Sequence, residues 1–231
     1  RLGQAVLAQE FPWALLGLAE TDARLRTKVG GLELSSPIGL GAGFDKNGGA
    51  VPGLQHLGFG FICVGSILPR PSAGNPRPRL IRYPETESLA NCYGMPSDGL
   101  DACVARFRRL AAKPRRTKLV ANFSAESDEE YARSYAAFAP YVDAVELGLQ
   151  CPNRTEHQSL YPVAALARLL KFLKDRWPNT PTFVKLPPYF NDVERANRFE
   201  LVELCADLGL AGVVVPGNWS VKEPRLSRGQ G

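Results

Sequence analysis

Gly39-Leu-Gly-Ala-Gly-Phe-Asp-Lys-Asn-Gly48 reads as an apolar strand that ends in a tight glycine run, with one aspartate and one lysine at its exit. Glycine lets a planar ligand lie against bare backbone, and Lys46 supplies a fixed positive charge at the same place. Standing alone, the segment reads as a strand-to-helix turn with two solvated charges. It does not stand alone. From residue 38 onward short apolar runs alternate with helical patterns, the signature of a parallel sheet built from βα units. Strands are predicted near 38–42, 61–65, 118–122, 142–147, 182–186 and 211–215.

The helices between them have legible periodicity. Leu100, Cys103, Val104, Phe107 and Leu110 form one stripe, with Ser97 as candidate N-cap. Tyr131, Tyr135 and Phe138 form a second after Ser127, where Glu130 completes a capping box. Val163, Leu166, Leu170, Leu173 and Trp177 mark a third, and a fourth helix is capped by Asn191 and stopped by Gly209. Successive strands start about 25 to 40 residues apart, as βα repeats do, except between the second and third, where the gap is about double. The surplus, Ser66 to Ser97, carries Pro69, Pro71, Pro76, Pro78, Pro84 and Pro96 and reads as a loop excursion of the size that serves as a lid or binding loop.

Six βα units can be counted, and a (β/α)8 barrel has two more. The expected architecture is therefore an α/β chain: a (β/α)8 TIM barrel incomplete at its C-terminus, over residues 25–231, preceded by a helical segment over 1–24. A doubly wound sheet is the other arrangement the pattern allows. The opening, Leu2 to Leu18, is strongly apolar and broken near Pro12, so two short helices are expected there. They either pack as a lid on the main domain or offer an apolar surface to a lipid or lipophilic substrate.

Composition narrows the function. The chain has 231 residues, 45% of them hydrophobic, enough for a sizeable core. The net charge of +5 is spread among 23 acidic residues, which favours solubility over a nucleic-acid stripe. Cys63, Cys92, Cys103, Cys151 and Cys205 are odd in number and lack CxxC spacing, so neither a disulfide framework nor a zinc site is indicated, and a reducing compartment is expected. Two histidines, His56 and His157, do not make a multi-histidine metal site. No run approaches the ~20 apolar residues of a membrane span, and no signal-peptide pattern is present.

Polar and glycine residues recur on the carboxyl side of the strands: Gly41 to Lys46, Gly65 and Ser66, Asn122, Cys151 to Asn153, Lys185, and Pro216 to Asn218. In a barrel these positions converge on the face where such enzymes build their sites. Lys185 ends an otherwise hydrophobic strand, which is costly unless its ammonium meets an anion or carbonyl; a snorkelling surface lysine is the plainer alternative. A flavin, which gains negative charge on reduction, would make such a cation useful. Cys151 lies in a loop just beyond a strand, where a neighbouring cation or donor can bring a thiol of reference pKa ~8.5 into range for proton abstraction. Cys63, Cys103 and Cys205 fall inside apolar patterns and read as inert buried thiols.

These residues together resemble the dihydroorotate dehydrogenase family, FMN-dependent barrel enzymes of pyrimidine biosynthesis. The similarity runs from about Leu25 to the end and is most specific in Gly39 to Gly48, in Gly58-Phe-Gly-Phe-Ile-Cys-Val-Gly-Ser-Ile-Leu-Pro-Arg-Pro71, and in Gly74-Asn-Pro-Arg-Pro-Arg-Leu-Ile-Arg82. The last of these resembles the membrane-associated, quinone-reducing class, whereas Gln150-Cys151-Pro152-Asn153 resembles the soluble class with a cysteine base.

The resemblance implies FMN contacts at Ala42, Gly43, Lys46, Ser66, Asn122 and Lys185. It implies contacts with dihydroorotate at Lys46, Asn91, Tyr93, Gly94, Met95, Asn153 and Asn218, Cys151 as catalytic base, Arg82 at the mouth of a quinone tunnel, and no metal. It also implies a cytoplasmic protein or one held peripherally at the inner membrane, with a quinone as acceptor in the latter class. The chain departs from the family at Gly148, where an asparagine substrate ligand is usual, at Gln150 in place of a serine, at Pro96 or Ser97, and at Pro216-Gly217-Asn218-Trp219. Those departures leave two further readings: a flavin oxidoreductase with another substrate, and a non-catalytic barrel that serves as an interaction module.

Overall fold

The structure, a computed structural model, describes residues 2–9, 13, 22–149, 162–217 and 221–230. A short helix, α1 (Leu2–Leu7), is followed by a small antiparallel hairpin, β1 (Thr27–Val29) and β2 (Leu32–Leu34). The main sheet then begins. Its strands are β3 (Phe61–Ile67), β6 (Lys118–Phe123), β7 (Ala144–Gly148), β8 (Thr182–Lys185) and β9 (Gly212–Val214), all parallel and adjacent in chain order. The helices α3 (Leu100–Ala111), α4 (Asp128–Phe138), α5 (Val163–Arg176) and α6 (Asp192–Asp207) alternate with these strands, and a four-residue helix, α2 (Val51–Leu54), precedes β3.

Five of the six predicted strands form where expected. The first does not become a strand: residues 38–42 contribute only a parallel bridge between Leu40 and Ile62, held by Leu40 N–H to Phe61 O at 2.9 Å and Cys63 N–H to Leu40 O at 2.8 Å. The glycine-rich sequence around it breaks the ladder after one residue. The excursion between β3 and β6 is not featureless. It contains an antiparallel pair, β4 (Leu80–Tyr83) and β5 (Ser88–Asn91), turned through Glu87 at φ 49.

Side-chain alternation along the strands makes two cores. Outward-facing Ile62, Val64, Leu119, Ala121, Phe123, Val145, Leu147 and Val184 pack against the helices. Phe107 of α3 and Phe138 of α4 meet edge-on at 4.9 Å, and Phe138 stacks on Phe123 at 5.9 Å. Inward-facing Cys63, Val120 and Ala144 instead pack with Leu32 and Leu34 of the β1–β2 hairpin, which covers the amino-terminal end of the inner face. Stoppering one end with a hairpin leaves the carboxyl ends of the strands to carry polar groups.

The helix signals match the structure with two corrections. Ser127 caps α4 by accepting from Glu130 N–H at 3.2 Å, and Glu130 returns the bond to Glu126 N–H rather than to Ser127. Asn191 caps α6 by accepting from Glu194 N–H at 2.9 Å, and Gly209 follows its end at φ +60. Ser97 does not cap α3. Gly99 is its N-cap, without a side-chain bond, and Ser97 Oγ accepts from Leu68 and Gly99 N–H, tying the end of the excursion to β3. The proline break near Pro12 lies outside the described residues.

Candidate functional site

On the inner face, one layer above Val120 and Ala144, the strands present Asn122 from β6, Glu146 from β7 and Lys185 from β8. Asn122 pairs in register with Glu146, and Lys185 with Gly148. Asn122 is fully buried, and its Nδ2 donates to Glu146 Oε1 at 2.7 Å, while Oδ1 has no hydrogen-bond partner among the described residues. Burial pushes the Glu146 carboxyl above its ordinary pKa, and the Lys185 ammonium, the Asn122 amide and the Cys63 thiol work against that rise. Cys63, buried beneath them on β3, is held well above a normal thiol by burial first and by the Glu146 charge second. A carboxylate kept at 7% exposure beside a cation and an amide is a paired buried charge, which a fold carries only with its neighbours in place.

The loop 42–46 joins this layer to a second region. Ala42 packs against the inner cluster, and Gly65 N–H donates to Asp45 O at 3.0 Å. Asp45 is buried and structural. Its Oδ1 accepts from Asn47, Gly48 and Gly49 N–H, and its Oδ2 accepts from Ala50 N–H at 2.7 Å, so one carboxylate holds the whole turn. Gly43, at φ +122 with nothing near its missing side chain, presents open backbone at the strand exit. Lys46 then faces a cavity of about 820 Å³ together with Arg79, Arg82, Tyr93 and Arg106. Residues Gly3, Gln4, Ala5 and Ala8 of the opening segment line the same cavity, and Gln4 Nε2 donates to Phe44 O.

Tyr93 lies between two cations, 5.8 Å from Lys46 Nζ and 5.2 Å from the Arg79 guanidinium carbon. Its neighbours are fixed by backbone. Gly94 sits at φ +69, where a side chain would come within 2.5 Å of Asn75, and Met95 at φ 55 is buried. Asn91 closes β5 and accepts from Tyr93 N–H at 3.5 Å. The segment 221–230 packs on this hairpin: Ser227 N–H donates to Pro78 O at 2.7 Å, Leu226 joins Ala90 and Cys92 in a small core, and Tyr83 hydrogen-bonds Glu223. The Arg225 guanidinium and the Tyr83 hydroxyl hold the Glu223 carboxyl down at about 2.

Of the predicted site residues, the structure thus joins Ala42, Asn122 and Lys185 in the inner cluster. It places Gly43, Lys46 and Tyr93 on the outer cavity, with Asn91, Gly94 and Met95 behind them; Ser66 follows Gly65 at the end of β3. The cavity lining does not include Asn122 or Lys185, and the two regions adjoin through the 42–46 turn. Cys151, Asn153 and Asn218 lie outside the described residues. Sequence reasoning missed Glu146, Cys63 and the structural part of Asp45. The signal for Glu146 was there: in Ala144-Val-Glu-Leu-Gly148 a lone acid alternates with apolar residues at the level of Asn122. Among the described residues no group of three or more His, Cys, Asp or Glu is placed to hold a metal, and no helix is long and apolar enough to cross a membrane.

The comparisons with known proteins agree on a family. The sequence model of dihydroorotate dehydrogenase matches residues 24–228. The chain is 38% identical over 225 residues to the dihydroorotate dehydrogenase (quinone) of Anaeromyxobacter dehalogenans (strain 2CP-C), covering 87% of this chain and 60% of that protein. It is 34% identical over 218 residues to the mitochondrial dihydroorotate dehydrogenase (quinone) of Mus musculus, covering 87% and 54%. In structure it resembles ligand-free DHODH from Eimeria tenella, with a TM-score of 0.80 at 22% identity, over 98% of this chain and 71% of that one. The shared architecture is the α/β barrel expected from the strand pattern. The chain spans about 60% of the length of the first curated relatives it matches.

Proposed function

This chain belongs to the dihydroorotate dehydrogenase family, and from that membership we propose that it carries the flavin and substrate half-site of an FMN-dependent oxidation of dihydroorotate to orotate. The observation that carries the reading is the row of buried Asn122 and Glu146 with half-buried Lys185, in which one amide oxygen is left unsatisfied. A buried acceptor without a partner costs about 1–3 kcal/mol, a cost that a bound ring with a donor removes. An isoalloxazine ring fits this donor set: it has both a ring N–H and carbonyl acceptors, it is planar enough to lie on the open backbone at Gly43, and its reduced form is anionic and suits Lys185.

Ala42, Gly43, Ser66, Asn122 and Lys185 are the proposed holders of FMN, with Lys46 between the cofactor and the carboxylate of the substrate. FMN, when bound, supplies a two-electron acceptor for the hydride that leaves C6 of dihydroorotate. Cys151, which follows β7 in the sequence, is the proposed base that takes the proton from C5, so that one proton and one hydride leave and a carbon–carbon double bond remains. Asn91, Tyr93, Gly94, Met95, Asn153 and Asn218 are the proposed substrate contacts. Tyr93, wedged between Lys46 and Arg79, orients that wall of the site. A quinone is the proposed acceptor, entering through the cavity beneath α1 that Arg82 lines, with peripheral membrane contact through the opening segment.

One observation favours a second reading, a flavin oxidoreductase with a different substrate. Ser124 Oγ donates to Gly148 O at 2.8 Å and lies 2.5 Å from where a side chain at 148 would begin. The usual asparagine ligand would therefore have to displace the Ser124 hydroxyl from its bond to Gly148 O. Absorption spectra of the purified protein, followed by anaerobic addition of dihydroorotate, test both. A flavin band that bleaches supports the first reading, a flavin band that persists supports the second, and colourless protein after reconstitution with FMN refutes both.

A further inference from the structure

The Glu146 carboxylate has no part in the oxidation outlined above, yet it sits buried beside a residue proposed to hold the cofactor. We propose that Glu146 is a positioning residue: it fixes the Asn122 amide with its oxygen free, so that this point of the inner face accepts a hydrogen bond from a flavin ring N–H and from nothing else on the ring. The inference deepens the flavin reading and rests on it.

A side-chain amide has two ends of opposite polarity and nearly the same shape, so its environment decides which end faces a ligand. An ionised carboxylate accepts and does not donate. The end of Asn122 that meets Glu146 at 2.7 Å must then be Nδ2, and turning the amide over would set two acceptors against each other. The other groups acting on Glu146 reinforce this. Cys63 from β3 offers it a thiol hydrogen bond, and Lys185 from β8 offers a positive charge that favours the ionised form. One Nδ2 hydrogen is committed to Glu146, and Oδ1, the acceptor end of the amide, is buried without a partner among the described residues. The inner layer below includes Val120 and Ala144, which cannot donate from their side chains, and Cys63, whose thiol turns to Glu146.

The oxidised isoalloxazine ring has a single ring N–H, at N3; N1, N5 and both carbonyls accept. An acceptor held rigidly by Glu146 therefore selects N3–H, whereas an amide free to turn would serve a carbonyl of the ring equally well. The selection comes from a residue that does not touch the ring.

Titrating the protein with FMN and with N3-methyl-FMN, followed by flavin fluorescence, separates the alternatives. The wild type is expected to bind FMN about tenfold or more tightly than the methylated analogue, the range expected when one buried acceptor loses its donor. In E146L, where the amide can turn, the preference is expected to fall to about twofold or less, with FMN itself still bound. A steric effect of the methyl group alone would leave the preference equal in the two proteins, and that result overturns the inference. Equal binding of both flavins by the wild type overturns it as well while the flavin reading stands. Failure of the wild type to bind either flavin removes the flavin reading, and the inference falls with it. If E146L does not fold, E146Q carries the test, since glutamine can both accept and donate: a preference reduced at least about threefold supports the inference, and an unchanged one overturns it.

Discussion

The inner face and the cavity beneath α1 both gather charged and polar side chains at the carboxyl ends of the strands, but they hold them on different terms. Inside, Asn122 and Glu146 are buried and bonded to each other, with Lys185 half-buried beside them. Outside, Lys46, Arg79 and Arg106 are half-buried and Arg82 is exposed, and both partners of the Arg106–Asp98 ion pair at 2.7 Å remain partly exposed. Buried groups have to be over-determined, because removing one leaves its neighbour uncompensated. Solvated groups can be exchanged at little cost to the fold. Substitutions inside should therefore register in stability and ligand selection together, and substitutions outside in ligand binding alone.

The largest effect is expected from the two glycines that open the two regions. At Gly65 the backbone is at φ +143 and a Cβ would stand 2.3 Å from Asn122 O, so Gly65→Ala must move β3 away from β6. A loss of at least about 3 kcal/mol in urea unfolding is expected. Gly43 also has a positive φ, +122, but nothing lies within 4 Å of its missing Cβ. Gly43→Ala should cost about 1 kcal/mol, the conformational penalty alone. Equal losses at the two positions would erase the distinction between the regions.

Two glutamates sharpen the contrast through pH. Glu146 has its pKa raised in the fold, chiefly by burial and against the pull of Lys185 and Asn122, so ionising it costs more there than in the unfolded chain. Its effect on stability is fully favourable below the unfolded carboxylate pKa and is lost as pH rises through the folded value. Glu146→Gln removes that loss, so the stability of E146Q relative to wild type should grow from about pH 4 to about pH 7. Glu223, on the rim, is lowered to about 2 by Arg225 and Tyr83. Its contribution is present above the unfolded pKa and fades as pH falls toward about 2. E223Q should thus differ from wild type at about pH 5 and converge with it near pH 2. Urea melts across this range check both, and slopes of the same sign for the two variants would contradict the assignment.

The same distinction explains what the sequence makes legible. The strands β3, β6, β7, β8 and β9 are visible because each is a short apolar run, and burial on both faces of β3, β6 and β7 leaves little else possible there. Lys185 and Asn122 are visible as polar residues at the ends of such runs. Glu146 and Cys63 are visible only as an acid and a thiol inside apolar strands, and their part in one cluster comes from the neighbours that register provides. The hairpins β1–β2 and β4–β5 have three or four residues per strand, too few for alternation to stand out, although Gly30-Gly31 between two short apolar runs is a hairpin turn signal. Ser97 mimics a cap by residue type and spacing alone; its hydroxyl is taken by the returning excursion, which no local rule anticipates.

The smallest change in stability belongs to Lys46, and it is where the comparison can most easily break. Its ammonium is 5.8 Å from the Tyr93 ring at a half-exposed position, a contact worth about 0.5 kcal/mol. Lys46→Met keeps the length of the side chain and removes the charge, so the melting midpoint should hardly move. Orotate, as an anion, should bind at least about fivefold more weakly, the effect of removing a charge-assisted hydrogen bond. The Asp45 carboxylate holds the turn through four backbone N–H groups whatever the side chain at 46, so the loss can be read as charge rather than misplacement. Unchanged orotate binding would move Lys46 out of the substrate site and leave the cavity beneath α1 without a part in holding the substrate carboxylate.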